Sequence, residues 1–193
     1  MRIFIAGATG IIGMKLLPLL LAGGYFVAGM TRSPEKVRIL ENVGAKPILC
    51  DVYDPEDLEA SIVSFDPDII ISLLTDLPDH ARYVRDYSER NNRMRTEGVR
   101  NLLSAARAAD SPKLIVESVA WTLERESAEA VDIMEKMVWE YGGIVIRYGR
   151  LYGPGTYYQN DLPAKPRIHV DRAAILTAES ILSEEKIIVI ADE

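Results

Sequence analysis

The stretch Met1-Arg-Ile-Phe-Ile-Ala-Gly-Ala-Thr-Gly-Ile-Ile-Gly13 opens the chain and decides its fold. Residues 3–6 are apolar, as in a strand buried on both faces, and apolar side chains then recur at helical spacing over 11–20. Three glycines spaced three apart lie between these two elements. This spacing predicts a tight turn where the backbone approaches a pyrophosphate at the positive end of a helix dipole. The stretch therefore predicts a nucleotide-binding turn.

Composition excludes several classes of function. The 193 residues carry a net charge of −7, which argues against a nucleic-acid partner because there is no basic excess to replace counterions. No apolar run is long enough to span a membrane. The apolar start is broken by glycines and no cleavage signal follows it, so we expect a cytoplasmic protein. The single cysteine, Cys50, excludes an internal disulfide, and we expect it to pack as a small apolar residue.

Strand-like and helix-like segments alternate along the chain. The predicted strands cover residues 3–6, 25–30, 46–50, 69–71, 113–116, 144–147 and 187–190. The predicted helices start at 11, 34, 54, 79, 131 and 171, and the fourth is a long helical stretch from about 79 to 109. We expect Ser33 to cap the second helix and Asp171 the last. This order predicts one α/β domain over residues 1–193, a doubly wound parallel sheet with helices on both faces.

The end of the second predicted strand bears on the choice of dinucleotide. In units of this kind an acidic residue there binds the adenosine ribose hydroxyls, whereas an arginine accommodates a 2′-phosphate. Arg32 stands at this position and no acid does. The sequence therefore favours NADP as the cofactor and leaves NAD as the alternative. The non-functional interpretation is a solvated arginine beside a helix start.

Five motifs follow one another along the chain: Gly7–Gly13, Asp51-Val52, Asn92 through Leu103, Arg147 with Tyr152–Gly155, and Ile168–Asp171. In this order they resemble the NAD-dependent epimerase/dehydratase family, which is the extended branch of the short-chain dehydrogenase/reductase superfamily. The resemblance covers nearly the whole chain and implies a Rossmann-type sheet with a bound dinucleotide.

The same resemblance implies which residues contact the cofactor. Gly7, Thr9, Gly10, Ile11, Ile12 and Gly13 would line the pyrophosphate, and Arg32 the adenosine ribose phosphate. Asp51 and Val52 would hold the adenine edge, and Leu73, Leu74 and Thr75 would lie along the ribose that leads to the nicotinamide.

The sequence departs from the family at the catalytic positions. Family enzymes place a Ser or Thr after the fifth strand and use a Tyr-x-x-x-Lys pair, whose phenol exchanges a proton as hydride moves. Ser118 fits the first position and Lys136 the lysine, but Asp132 stands four residues before Lys136 and no Tyr-x-x-x-Lys occurs. The nearest tyrosines are Tyr141 and Tyr148, and we expect Tyr148 to pack beside its strand. A carboxylate replaces a phenol only with a large upward pKa shift. Ser118, Lys136 and Asp132 are therefore candidates for an atypical site.

The C-terminal part is a second departure. About forty residues follow Gly155, whereas related epimerases carry a larger substrate domain. We expect residues 150–193 to form a reduced substrate-side extension, with an acceptor pocket that is small, open or completed by a partner subunit. Tyr157 and Tyr158 either line that pocket or lie on an exposed loop. In the relatives, the helices that match 79–109 and 131–141 form a dimer interface, which implies a homodimer.

Two functions remain open. The first is an NADP-dependent oxidoreductase or epimerase/dehydratase-like enzyme that acts on a hydroxyl or carbonyl of a small or nucleotide-sugar-derived substrate. The second is a catalytically inactive dinucleotide-binding protein with a sensor or regulatory role. His80 and His169 have no cysteine or acidic cluster at ligand spacing, so neither function is expected to involve a metal.

Overall fold

The computed structural model describes residues 1–192. It has nine strands in that part of the chain: β1 (Arg2–Ala6), β2 (Phe26–Thr31), β3 (Lys46–Leu49), β4 (Ile69–Ser72), β5 (Lys113–Val119), β6 (Ile144–Tyr148), β7 (Arg150–Tyr152), β8 (Arg167–His169) and β9 (Ile187–Ile190). Seven of them form one sheet in the order β3-β2-β1-β4-β5-β6-β9, with every neighbouring pair parallel. The predicted doubly wound parallel sheet is confirmed.

Helices cover both faces of this sheet. They are α1 (Ile11–Ala22), α2 (Val37–Val43), α3 (Pro55–Phe65), α4 (Ser88–Arg93), α5 (Val99–Ala108), α6 (Arg125–Tyr141) and α7 (Val170–Ser180). On one face α1 packs beside α7, and on the other α5 packs between α3 and α6. Alternate residues of β1 enter the two cores: Ile3 and Ile5 the first, Phe4 and Ala6 the second. This explains why the strand is apolar at successive positions.

The strand order reverses between β1 and β4, and this reversal positions the site. The chain crosses to one side of β1 to form β2 and β3, then returns to its other side as β4. Turns leaving the carboxyl ends of β1 and β4 therefore diverge and open a crevice, which is where open parallel sheets bind ligands.

The C-terminal residues divide between two sheets. β7 and β8 pair in parallel as a separate two-stranded sheet, whereas β9 extends the main sheet beyond β6. An ion pair of 2.5 Å between Lys15 of α1 and Asp171 of α7 ties the last helix to the first.

The segment after β4 differs from its prediction. No continuous helix runs from residue 79 to residue 109: a 3₁₀ turn forms at Ala81–Tyr83, α4 begins at Ser88, and a π-helical turn, Met94–Gly98, joins α4 to α5. Residues 79–90 are almost all exposed. They have no apolar stripe to hold an early helix against the sheet. In contrast, α6 begins at Arg125, earlier than the predicted residue 131.

Both predicted helix caps differ as well. The Ser33 side chain caps nothing, and its backbone N–H donates to Thr31 Oγ1 at 3.2 Å, ahead of a 3₁₀ turn at Pro34–Lys36. At α7 the acceptor is His169 Nδ1, which takes the N–H of Asp171 at 3.3 Å. The Asp171 carboxylate is instead turned toward Lys15.

Two side chains expected to be structural lie in the core. Cys50 is buried, and this burial raises the pKa of its thiol to about 12. Tyr148 is buried on the face that carries α7, and its hydroxyl lies 2.6 Å from Thr177 Oγ1. Among residues 1–192, no helix combines the length and apolar character needed to cross a bilayer.

Candidate dinucleotide site

Main-chain atoms surround the turn after β1 closely. Gly7 has φ +81°, and a Cβ there would lie 2.5 Å from the Leu73 carbonyl oxygen at the end of β4. A Cβ on Gly13 would lie 2.4 Å from the Ala8 carbonyl oxygen. Only glycine fits at either position, so the two predicted roles of a tight turn and a close helix–strand approach match the geometry.

The tip of α1 is open. Gly10 is its N-cap residue without a side-chain acceptor, and the first turn contains no acidic residue. Gly10 and Ile11 are exposed, whereas Ile12 and Gly13 are buried, so the last two can offer only backbone N–H groups. The unpaired N–H groups and helix dipole suit an anion such as a pyrophosphate.

Polar side chains link this turn to the end of β2. Thr9 Oγ1 lies 3.4 Å from Thr31 Oγ1. Arg32 follows directly, and its Nη2 pairs with Asp76 Oδ1 at 3.2 Å. Half of the Arg32 side chain remains exposed. Arg90 of α4 contacts the same Asp76 oxygen at 3.1 Å.

The residues expected at the adenine edge lie after β3. Asp51 Oδ1 accepts the N–H of Tyr53 at 3.0 Å, so the aspartate shapes its own turn. The Val52 side chain is buried, and its carbonyl accepts from Asn101 Nδ2 at 3.0 Å. The Arg93 guanidinium lies 4.0 Å over the Tyr53 ring. Val52 can therefore contact a ligand through main chain only.

The three residues expected along the nicotinamide ribose follow β4. Leu73 is buried, Leu74 is partly buried and Thr75 is exposed. They pass the open side of the Gly7 turn, where the Leu73 carbonyl forms part of its wall. The predicted pyrophosphate, adenosine and ribose residues thus follow the carboxyl ends of the neighbouring strands β1 to β4.

The predicted catalytic serine is hydrogen-bonded inside the protein. Ser118 Oγ lies 2.6 Å from Glu135 Oε1, and Glu135 is buried in the middle of α6. Arg147 Nε donates to the same carboxylate oxygen at 2.9 Å, and Arg147 Nη2 donates to the other oxygen. The Glu135 carboxylate holds the pKa of Arg147 above its usual range. Ser118 is therefore part of a buried polar network.

The structure does not bring Lys136 and Asp132 into that network. The Lys136 side chain is 75% exposed, and its Nζ lies 3.8 Å from Glu140 on the outer face of α6. Asp132 is exposed at the rim of a groove of about 370 Å³, beside Arg147 and Glu135. The rest of that groove is formed by residues 119–123, Ala128, Val131 and Val189.

A second acidic group lies at the end of β5. Glu117 pairs in register with Ile146 and is partly exposed; among residues 1–192 its carboxylate makes no hydrogen bond or ion pair. Burial raises the pKa of Glu117 to about 7, against the opposing effect of the Arg95 guanidinium. Sequence reasoning missed Glu117 and Glu135. The position of Glu117 immediately before Ser118 was the one signal that could have pointed to it. Glu135 could be identified only from the way α6 packs against the sheet.

Tyr157 and Tyr158 lie on the loop between β7 and β8, and both are exposed. Each is 37% exposed. The Tyr157 hydroxyl donates to the Pro78 carbonyl, which joins the loop after β7 to the segment after β4. Tyr158 pairs with Tyr152 through an isolated bridge. Within residues 1–192, no three His, Cys, Asp or Glu side chains come together as a metal-binding group.

A family comparison agrees with this geometry. Residues 7–143 match the family model described as NAD(P)H-binding. The match covers more than half of the chain, which therefore belongs to this NAD(P)H-binding family.

Two curated relatives are reductases. A 3-diazoavenalumate denitrifying reductase from a Streptomyces species is 30% identical over 189 residues, which covers 83% of this chain and 60% of that protein. A 4-hydroxy-2-methyl-3-oxo-4-farnesyl-3,4-dihydroquinoline-1-oxide ketoreductase from Stigmatella aurantiaca is 32% identical over 115 residues, 60% of this chain and 32% of the relative. The chain thus spans less than two thirds of either protein.

Solved structures with the same fold include sugar-nucleotide enzymes. The UDP-glucose 4-epimerase of Thermus thermophilus in complex with NAD has a TM-score of 0.79 and 20% identity, over 99% of this chain and 78% of that one. The dTDP-glucose 4,6-dehydratase of Bacillus anthracis in complex with NAD has a TM-score of 0.77 and 16% identity, over 99% and 75% of the two chains. At this level of identity the similarity concerns the fold.

Proposed function

We propose that the chain is an NADP-dependent reductase that acts on a small molecule. The observation that carries this proposal is the exposed tip of α1, where Gly10 leaves the first backbone N–H groups open beside a turn that only glycines can form. Arg32, in the place of an acid at the end of β2, supports NADP over NAD. The bound dinucleotide would supply the hydride.

Reduction is preferred to epimerisation because of the curated relatives. The proton-exchanging pair that family enzymes use for either reaction is not assembled here. Ser118 is engaged by Glu135, and Lys136 points to solvent, so neither is arranged around a phenol as in the family's pair. One curated relative, which matches over 83% of this chain, is a 3-diazoavenalumate denitrifying reductase, and this supports reduction as the reaction class.

We assign proton exchange in such a reduction to Glu117 in preference to Ser118, Lys136 or Asp132. Glu117 lies at the carboxyl end of β5, where strand alternation sets it on the same face as Ile115, and Ile115 shares a core with α1. The charged and titratable groups that act on it are Arg95 of the π-helical turn and Tyr148 of β6. With a pKa of about 7, the carboxyl can donate or accept a proton near neutral pH.

One observation favours a second function, a dinucleotide-binding protein without turnover. The family's serine position is occupied in a closed hydrogen-bond network, and Lys136 faces solvent instead of this network. Such a protein would use nucleotide occupancy to change its stability or its binding to a partner.

Thermal shift and turnover assays together test the proposal. A ligand that binds the native state alone stabilises it by about 2.7 kcal/mol at a hundredfold excess over Kd. NADP should therefore raise the melting temperature, and it should do so more than NAD because Arg32 favours the 2′-phosphate. A panel of aldehydes, ketones and aryl diazo compounds should include one that oxidises NADPH. Binding without oxidation of NADPH by any acceptor would favour the second function. No thermal shift with either dinucleotide would overturn both.

A further inference from the structure

Asp76 joins two arginines that approach it from different elements. It follows β4, its side chain is only 8% exposed, and its backbone N–H donates to the buried Asn91 Oδ1 at 3.0 Å. Arg32 Nη2 reaches Asp76 Oδ1 from the end of β2 at 3.2 Å. Arg90 reaches it from α4 through both Nη2 (3.1 Å to Oδ1) and Nε (3.3 Å to Oδ2). The carboxylate is therefore a fixed anchor between two cations.

The charges of this cluster do not cancel. Two guanidinium groups face a single carboxylate, which leaves one positive charge in excess. The neighbouring Arg93 adds nothing to that excess, because Glu97 binds it through two hydrogen bonds of 2.7 and 2.9 Å. The cluster of Arg32, Asp76 and Arg90 thus carries a local positive charge in a chain whose net charge is −7.

Both arginines keep donors free for a ligand. Their side chains are 48% and 52% exposed. A guanidinium group has five N–H donors, of which Arg32 uses an Nη2 donor and Arg90 uses its Nε and an Nη2 donor for Asp76. Since the two groups share one carboxylate oxygen, the oxygens of a single phosphate can accept from both.

We propose that Arg90 is a second residue that recognises the 2′-phosphate of NADP, opposite Arg32, and that Asp76 positions both guanidinium groups for it. This inference rests on the proposed function, because it takes the adenosine ribose to lie at the end of β2. Arg90 comes from α4 and Arg32 from the end of β2, and both contact the same Asp76 oxygen. A phosphate beside Asp76 would therefore accept from guanidinium groups of two different elements.

Calorimetric titrations with NADP, NAD and 2′,5′-ADP at one fixed ionic strength test this inference. Wild-type protein should prefer NADP to NAD. Arg90→Gln should weaken NADP and 2′,5′-ADP binding by about 10- to 100-fold, the loss expected for charge-assisted hydrogen bonds, and leave NAD binding within about twofold. Arg90→Lys should recover part of the loss. The matched control is Arg85→Gln, which removes an equal charge from a side chain that is 87% exposed. It should change none of the three affinities.

The outcomes distinguish a failure of the Arg90 inference from a failure of the proposed cofactor. Equal weakening of NAD and NADP by Arg90→Gln would assign Arg90 a structural role and overturn the inference. Loss of the NADP preference in Arg32→Gln but not in Arg90→Gln would overturn the inference and leave the proposed cofactor in place. A wild-type protein without any NADP preference would overturn the proposed cofactor itself. Retained NAD binding in each variant shows that it has folded.

Discussion

At the scale of single residues, Glu135 is a buried carboxylate inside a hydrogen-bond network. Its side chain is 2% exposed, and hydrogen bonds from Ser118 and Arg147 offset the cost of burying the charge. Removing one member of such a network leaves the others without a partner.

We therefore expect Glu135→Gln to lower the free energy of unfolding by about 2–4 kcal/mol. The loss should be smaller than for a fully buried pair, because Arg147 is partly exposed. Glu129→Gln on the same helix is the control. Glu129 is 61% exposed in its pair with Arg125, so its loss should cost less than about 1 kcal/mol. Urea denaturation measures both variants. Equal losses would mean that the Glu135 network adds nothing to stability.

Glu117 gives a prediction with a defined pH dependence. Its folded-state pKa of about 7 lies above the ordinary 4.5, so the folded protein binds the extra proton and stability falls as pH rises between these values. Glu117→Gln should match wild type near pH 4.5 and exceed it by about 2–3 kcal/mol above pH 7.

Denaturation curves across that pH range provide the measurement, with the exposed Glu184→Gln as control. A Glu117→Gln advantage that is the same at all pH values would show that burial does not shift this carboxyl. If Glu117 also exchanges the proton of the reaction, the variant should retain NADP affinity and lose turnover.

At the scale of elements, the contact of α1 with the turn after β1 separates a folding role from a binding role. A methyl group on Gly13 meets the Ala8 carbonyl at 2.4 Å, whereas one on Gly10 meets the Gly7 carbonyl at a less severe 3.2 Å. We expect Gly13→Ala to cost about 1–3 kcal/mol of stability through overpacking.

Gly10→Ala should cost less than about 1 kcal/mol yet weaken dinucleotide binding more than tenfold, because its methyl group projects near the phosphate path. Calorimetry and denaturation on both variants provide the comparison. Full binding by Gly10→Ala would place the pyrophosphate elsewhere.

Elements whose buried apolar side chains recur at a regular spacing were predictable from the sequence. The strands of the main sheet lie within a few residues of their predicted places, because their side chains are apolar at successive positions. Residues 79–109 were predicted as one helix, since charged residues such as Arg82 and Arg85 are good helix formers, but nothing apolar anchors them. The glycine turn was predictable because local backbone geometry defines it. The Arg90–Asp76 contact depends on two elements meeting, which no local pattern encodes.

At the scale of the whole molecule, the remaining expectation is the homodimer. Ile133 on α6 is 48% exposed, on the side of the sheet where the dimer interface is expected. Ile175 on α7 is 46% exposed on the opposite side, which makes it a control of equal exposure.

Light scattering should give a mass twice that of one chain, because an apolar residue on α6 would be buried at the interface. Ile133→Glu should reduce it to the mass of one chain, and Ile175→Glu should leave it unchanged. A wild-type protein with the mass of one chain would contradict the expectation directly.

The glycine turn and the Ser118 network differ in what builds them. Main-chain atoms of Gly7, Ala8 and Leu73 wall the turn after β1, whereas side chains of Ser118, Glu135 and Arg147 form the network between β5, β6 and α6. Point mutation replaces side chains and largely spares the course of the backbone. A lineage can therefore exchange its reactive groups one by one while it inherits the nucleotide cradle intact, and new chemistries can arise on a cofactor that is already held.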